Sequence, residues 1–424
     1  MRITFLLLIL ALQLNAENWP GWRGPRGDGS STEKAAPVKW SATENIAWKT
    51  AIPGEGHSSP VIYGEQIFLL SCLPEKQERV LISLDRRTGK PQWQSTILKT
   101  PLETIHRLNS RASCTPVTDG KLVYVAVMKV SEEKILAPNV GSRRMITPGS
   151  IEVAAFDLKG KRQWTQNIGP FVSAHGFSSN PVLYRDLVIV NGDHDGDAYI
   201  AALDRATGKL RWKTPRENKT RSYGTPIIRT IDGREQMILC GSKSVASYDP
   251  TNGKRHWIID GPTEQFVASM VYNGQYLFAT GGFPERHILA IRPTGRGNVT
   301  ETHIAWRERR GASYVPSPVV LGDYFLIVSD AGIASCFDAA KGTRHWMERL
   351  GGGHSASAIT ANGLAYFVSD RGITTVIRPG KEFEVVAKND LKESSSSSPA
   401  ISQGQLFIRG HKHLFCIGKQ GTTK

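Results

Sequence analysis

The side chains able to do chemistry in this 424-residue sequence are imidazoles, guanidiniums and phenols set just ahead of apolar runs, and one cluster of alternating carboxylates. His57, His106, Arg111, His175, Arg221, Tyr223, Tyr314 and His354 all precede such runs. Brought together, they suit a pocket for a small polar, anionic or sugar-like ligand, or a surface for a partner. Taken singly, such residues cap backbone groups in loops. His57, His175 and His354 fall in different repeats, which argues against a metal shared between them. Asp193, Asp195 and Asp197 alternate as the first ligands of a calcium loop do. The expected glycine is displaced and the twelfth position falls on Asp204, beyond an intervening strand, so a solvated acidic turn competes with a metal site. No nucleophile motif accompanies them: GxSxG, HExxH and a phosphate-binding glycine loop are absent from the sequence. Cys72, Cys114, Cys240, Cys336 and Cys416 are odd in number, never adjacent and set in or beside apolar runs, which reads as buried free thiols.

A repeat positions these residues. Asp85-Arg-Arg-Thr-Gly-Lys-Pro-Gln-Trp93 returns at Asp204–Trp212, Asp249–Trp257 and Asp338–Trp346, one residue shorter at Asp157–Trp164, and degenerate and longer from Pro293 to Trp306. With Trp48, seven tryptophans (Trp48, Trp93, Trp164, Trp212, Trp257, Trp306 and Trp346) mark one position, and their spacings run from 40 to 71 residues. Val386 holds the next such place. A step from a small or short polar residue into proline leads into the apolar runs at Ser59, Thr115, Asn180, Thr225, Ser317 and Ser398; Ala268-Ser269 and Ala356-Ser357 share the phase without proline. That makes eight starts, each followed by short strands; in the third unit these are 182–184, 187–190, 199–203 and 210–214. A period of 40–50 residues with four short strands implies an all-β, eight-bladed β-propeller, with seven blades as the alternative. The eighth unit has only three strands, 400–401, 405–408 and 413–416. The segment 45–50, carrying Trp48, is expected to supply the fourth and close the ring. The repeated tryptophan is expected to wedge between blades with its N–H on backbone.

In such blades the loops between blades and the loops joining strands two and three open on one face. That face collects the residues named at the outset, together with Lys243, Arg286, His287, Arg371, His411 and the long insertion 129–150. His256 and His345, beside repeat tryptophans, read as structural.

Composition bounds the rest. Hydrophobic residues are 40% and charged residues 21%, a globular balance, and mean hydropathy of −0.28 excludes a multi-span membrane protein. The net charge of +15 is scattered without a Lys/Arg block, which argues against nucleic acid as partner. Arg2, an apolar stretch over 5–12 and Ala16 form a secretory signal pattern over 1–16, without a lipid-attachment cysteine. The expected organisation is a signal peptide 1–16, an arm 17–44 that packs through Trp19, Trp22 and Trp40, a propeller 45–417 and a tail 418–424. The mature chain is expected in the periplasm or outside the cell.

The Asp-x-x-Thr-Gly-Lys-x-x-Trp copies resemble the tryptophan-docking repeat of the pyrroloquinoline quinone (PQQ) propeller superfamily, and Asn18-Trp-Pro-Gly-Trp-Arg-Gly-Pro-Arg-Gly-Asp-Gly29 resembles the start of exported PQQ-like propellers. The superfamily holds dehydrogenases that carry PQQ and calcium on the propeller axis, and non-enzymatic scaffolds such as the assembly lipoprotein BamB. The resemblance admits PQQ and calcium as cofactors. The adjacent Cys-Cys pair and the CxxCH of those enzymes are missing, and so is the BamB lipobox. The expected function is a non-enzymatic binding or protein-interaction scaffold of the cell envelope. A PQQ-dependent oxidoreductase and a carbohydrate-binding propeller, with Tyr223 and Tyr314 as platforms, are the alternatives.

Overall fold

The structure, a computed structural model, describes residues 17–131, 133–261 and 263–419. The signal pattern over 1–16 and most of the tail lie outside them. Eight antiparallel sheets follow one another: blade 1 over 61–99, blade 2 over 117–171, blade 3 over 182–215, blade 4 over 227–260, blade 5 over 271–308, blade 6 over 319–349, blade 7 over 359–390 and blade 8 over 400–417. Blade 8 takes its outer strand, Ile46–Ala51, from the other end of the chain, with Trp48 opposite Cys416. The first and last strands thus remove the open edge a linear array would leave. Two irregularities stand out. Blade 2 carries an extra hairpin, Ile135–Leu136 paired with Met145–Ile146. Blade 4 gains a fifth, parallel strand, Gly297–Asn298, from the longer degenerate repeat.

The repeat works as a two-part joint. Trp48, Trp93, Trp164, Trp306 and Trp346 donate their indole N–H to carbonyls of Arg86, Leu158, Arg205, Ala339 and Gly380 on the next blade, at 2.9–3.1 Å. The turn glycine lies flat against the ring: a Cβ on Gly208 would sit 2.6 Å from Trp164, and one on Gly342 2.6 Å from Trp306. Two tryptophans depart from the backbone expectation. Trp212 packs on Gly253 but its N–H finds no partner. Trp257, fully buried under the extra strand, donates to Gln236 Oε1 at 2.8 Å, and Gln236 donates on to the Pro293 carbonyl at 2.9 Å. Gln236 stands in because the fifth repeat is degenerate there.

The small-residue step works at the axis. Each residue's N–H reaches the side chain of its counterpart on the next blade: Ser59 to Thr115, Thr115 to Asn180, Thr225 to Ser269, Ser269 to Ser317, Ser317 to Ser357, Ser357 to Ser398 and Ser398 back to Ser59, all between 2.6 and 3.0 Å. Asn180 bridges to Thr225 through its side-chain amide at 2.8 Å. The eight residues close a continuous collar. Proline after most of them holds the preceding backbone extended, which aims the side chain sideways.

The arm crosses the opposite face. Trp19 exchanges backbone hydrogen bonds with Ile62 at 2.9 Å, Thr118 donates to Pro20 at 2.8 Å, Thr360 donates to Gly29 at 2.8 Å, and Glu33 accepts from the backbone of Gln403 and Gly404 at 2.7 and 3.1 Å. Arg229 of blade 4 grips the Arg26 carbonyl at 2.6 Å, and Arg23 reaches the Pro318 carbonyl of blade 6 at 2.5 Å. A segment bonded to blades 1, 2, 4, 6, 7 and 8 has to pass over the axis. All five cysteines are free and buried.

Candidate functional site

The arm and the collar turn the axial channel into a blind well of about 490 Å³ that opens on the connecting-loop face. The repeat dictates its walls. Collar residues Ser59, Thr115, Ser357 and Ser398 line it, and so does every residue two positions before a collar residue: His57, Ser113, Ser178, Tyr223, Val267, Val315, Ser355 and Ser396. Side chains two apart on an extended segment share a face, so each blade offers the axis one collar residue and one residue above it. His106, Leu108, Asn109, His175, Gly282, Arg286, Tyr314 and Asp330 form the rim, and Trp22 from the arm forms the floor.

Five of the eight expected residues therefore meet in one place: His57, His106, His175, Tyr223 and Tyr314. The other three do not line the well. Arg111 pairs with Glu55 at 3.2 Å. Arg221 is buried behind the wall, paired with Asp195 at 2.8 Å, and its Nε donates to His175 Nδ1 at 3.4 Å. His354 is 2% exposed and packs behind the wall. Sequence reasoning put Arg286 on this face but did not place Trp22 or Asp330 at the well. It also passed over the serines two before each collar residue, although the period-two rule applied to the small-residue step finds them.

The alternating aspartates do not converge. Asp193 is clamped by Arg216 at 2.8 Å, Asp195 by Arg221, and Asp197 points outward to Lys219 at 2.7 Å. Three cations engage three carboxylates, which leaves no shared point for calcium. Among the described residues no group of three or more His, Cys, Asp or Glu side chains is placed to hold a metal ion.

Burial favours the neutral form of the imidazoles of the well. Burial pushes His57 down to about 4, with Arg409 and His411 adding repulsion. Burial and the Arg221, His106 and Arg144 charges push His175 down to about 3, and burial also lowers His106. Because Arg221 donates to His175 Nδ1, the His175 proton sits on Nε2. His106 and His175 meet edge to face at 5.2 Å, and Tyr223 lies nearly parallel to His175 at 6.3 Å, its hydroxyl 3.1 Å from Ser173 Oγ. Tyr223 is 7% exposed, so it offers no open ring face to a sugar. The Tyr314 side chain rests on Gly282, where a Cβ would come within 2.2 Å of the Tyr314 Cβ and 2.6 Å of its ring, and its hydroxyl is 3.1 Å from Gln265 Oε1.

A calcium-bound quinone does not fit these residues. Calcium takes six to eight oxygen ligands, carboxylates prominent among them. Among the described residues Asp330 is the sole carboxylate lining the well, and its two oxygens already accept the N–H groups of Tyr314 and Val315 at 2.9 and 3.0 Å. On the wall, Ser396 Oγ lies 3.3 Å from His411 Nε2, and among the described residues no carboxylate is hydrogen-bonded to that imidazole to orient it as a base.

A closed eight-bladed propeller with tryptophan joints and an axial well set with hydroxyls and imidazoles defines the class. The family model described as outer membrane protein assembly factor BamB matches residues 30–168 and 149–382. The chain belongs to that PQQ-like repeat family. Among solved structures, BamB from Moraxella catarrhalis is similar at 12% identity with a TM-score of 0.59, covering 89% of this chain and 98% of that one. The computationally designed Ika8 protein gives 9% identity and a TM-score of 0.57 over 92% and 99% of the two chains. Quinohemoprotein alcohol dehydrogenase ADHIIG from Pseudomonas putida HK5 gives 12% and 0.50 over 96% and 81%. At these identities the likeness speaks for the fold. No curated protein matches the chain. Among the described residues no helix is long and apolar enough to cross a membrane.

Proposed function

We propose that the chain is a non-enzymatic interaction scaffold of the cell envelope, with a propeller over 45–417 that recognises its partner on the connecting-loop face around the well. The observation that carries this is where the exposed apolar side chains lie. Leu108 and Phe283 on loops, and Leu136 and Met145 on the inserted hairpin, each more than half exposed, belong to the connections of that one face, while Leu210 and Val385 lie on outer strands. Apolar anchors around polar groups are the composition of a docking surface. Membership of the BamB family supports the same reading. A neutral, carboxylate-poor wall argues against a quinone dehydrogenase, and the covered ring of Tyr223 argues against a sugar platform. Export through the pattern at 1–16 belongs to the proposal.

A photo-crosslinking residue at Leu108 or Phe283 is expected to capture one discrete envelope protein in the native host, and one at Leu210 is expected to capture none. Equal capture from all three positions, or none from the rim, contradicts the proposal.

A further inference from the structure

We infer that the floor of the well is a receptor for a carboxylate, carried by a small acid or by the end of a partner's chain. The inference rests on the well-face reading above and adds its ligand chemistry. It comes from counting donors and acceptors. A hydroxyl has one proton and two lone pairs. In the collar, the hydroxyls of Ser59, Thr115, Ser357 and Ser398 each accept an N–H from the neighbouring blade, and among the described residues none donates its proton to the protein. Four hydroxyls whose free capacity is a proton face the same space.

The charges behind them agree. Arg23, 1% exposed, lies against the far side of the Trp22 floor, its Cζ 5.7 Å from that ring. It donates to the carbonyls of Asp28 and Pro318, while Nε and Nη1 find no partner. Arg409, also buried, sits behind His57 and donates to the carbonyls of Ser58 and Leu70 at 3.2 and 2.6 Å. Neither guanidinium is within ion-pair distance of a described carboxylate. The Asp28 charge acts on Arg23 from beyond ion-pair distance, whereas burial alone acts on Arg409; a buried cation without a paired counter-charge is costly and attracts an anion. Arg286 adds an exposed cation at the rim. The one wall carboxylate, Asp330, is held by backbone N–H groups. Single hydroxyl donors in a partly apolar well suit a singly charged carboxylate. A phosphate dianion is usually met by a directly exposed guanidinium fork or a nest of N–H groups.

Calorimetry of the full chain with benzoate and with neutral benzamide tests the ligand chemistry, and a short peptide with a free or an amidated C-terminus separates the two sources. Benzoate is expected to bind saturably and benzamide at least tenfold more weakly. If the free-ended peptide outcompetes benzoate, the partner's chain end is the source; if only benzoate binds, the source is a small acid. Arg286→Gln, at an exposed position, is expected to weaken benzoate several-fold, and Ser398→Ala about tenfold, the loss of one charge-assisted hydrogen bond. Ser59→Thr keeps the hydroxyl and is expected to retain binding. Benzoate and benzamide binding alike, no saturable heat with either, or phosphate binding more tightly than benzoate overturns the inference. If rim crosslinks persist in any of those cases, the scaffold reading survives and only the carboxylate reading falls.

Discussion

At the scale of single residues, the repeat glycine carries two duties. Gly208 sits at φ 73°, and a Cβ there would stand 2.6 Å from the Trp164 ring; Gly233 sits at φ 71° with nothing within 4 Å. Gly208→Ala pays for both the left-handed backbone and the displaced indole, and is expected to cost about 2–4 kcal/mol, while Gly233→Ala costs about 1 kcal/mol. Denaturant unfolding of the two variants checks this, and equal losses would show that the ring contact is unimportant. The turn conformation was legible in the sequence, because Thr-Gly-Lys after Asp recurs. The ring contact was not, since it joins residues about 40 apart on different blades. Register against the collar explains one of the three site residues that turned away from the well. His57 and Tyr223 stand two before a collar residue and point inward, whereas His354 stands three before one and points back between loops. Arg221 was misplaced for another reason: Asp195 neutralises it where it lies.

At the scale of elements, the arm changes the meaning of the site. Period and spacing located the blades to within a residue or two, including the strand Ile46–Ala51 that closes blade 8. The arm has no period and its partners are scattered from Ile62 to Gly404, so its tryptophans promised packing but not a path. In the folded chain it seals one end of the channel with Trp22 and Arg23. Deleting residues 17–31 is expected to speed amide exchange selectively at Ile62, Thr118 and Thr360, whose hydrogen bonds to the arm or neighbours of those bonds are lost, while the strand ladders of blade 5 stay protected. Uniform loss of protection would mean that the arm is needed for the ring to form at all.

At the scale of the whole molecule, the eightfold repeat builds a closed ring with a collar at its centre, and small departures from the repeat specialise it. The insertion in blade 2 and the loop of blade 5 bring apolar side chains to the connecting-loop face, and the arm closes the base. The fold was readable because each blade repeats the same physics. The well was only half readable, because its floor and much of its rim come from segments outside the repeat. The central claim is that this axis serves recognition rather than quinone chemistry. The most direct test is calorimetric titration of the full chain with PQQ, with and without calcium, followed by a dye-linked assay on alcohols and sugars. The account predicts no calcium-dependent heat and no dye reduction. Saturable binding that requires calcium, with substrate-dependent dye reduction, would contradict it and make the protein a quinoprotein dehydrogenase.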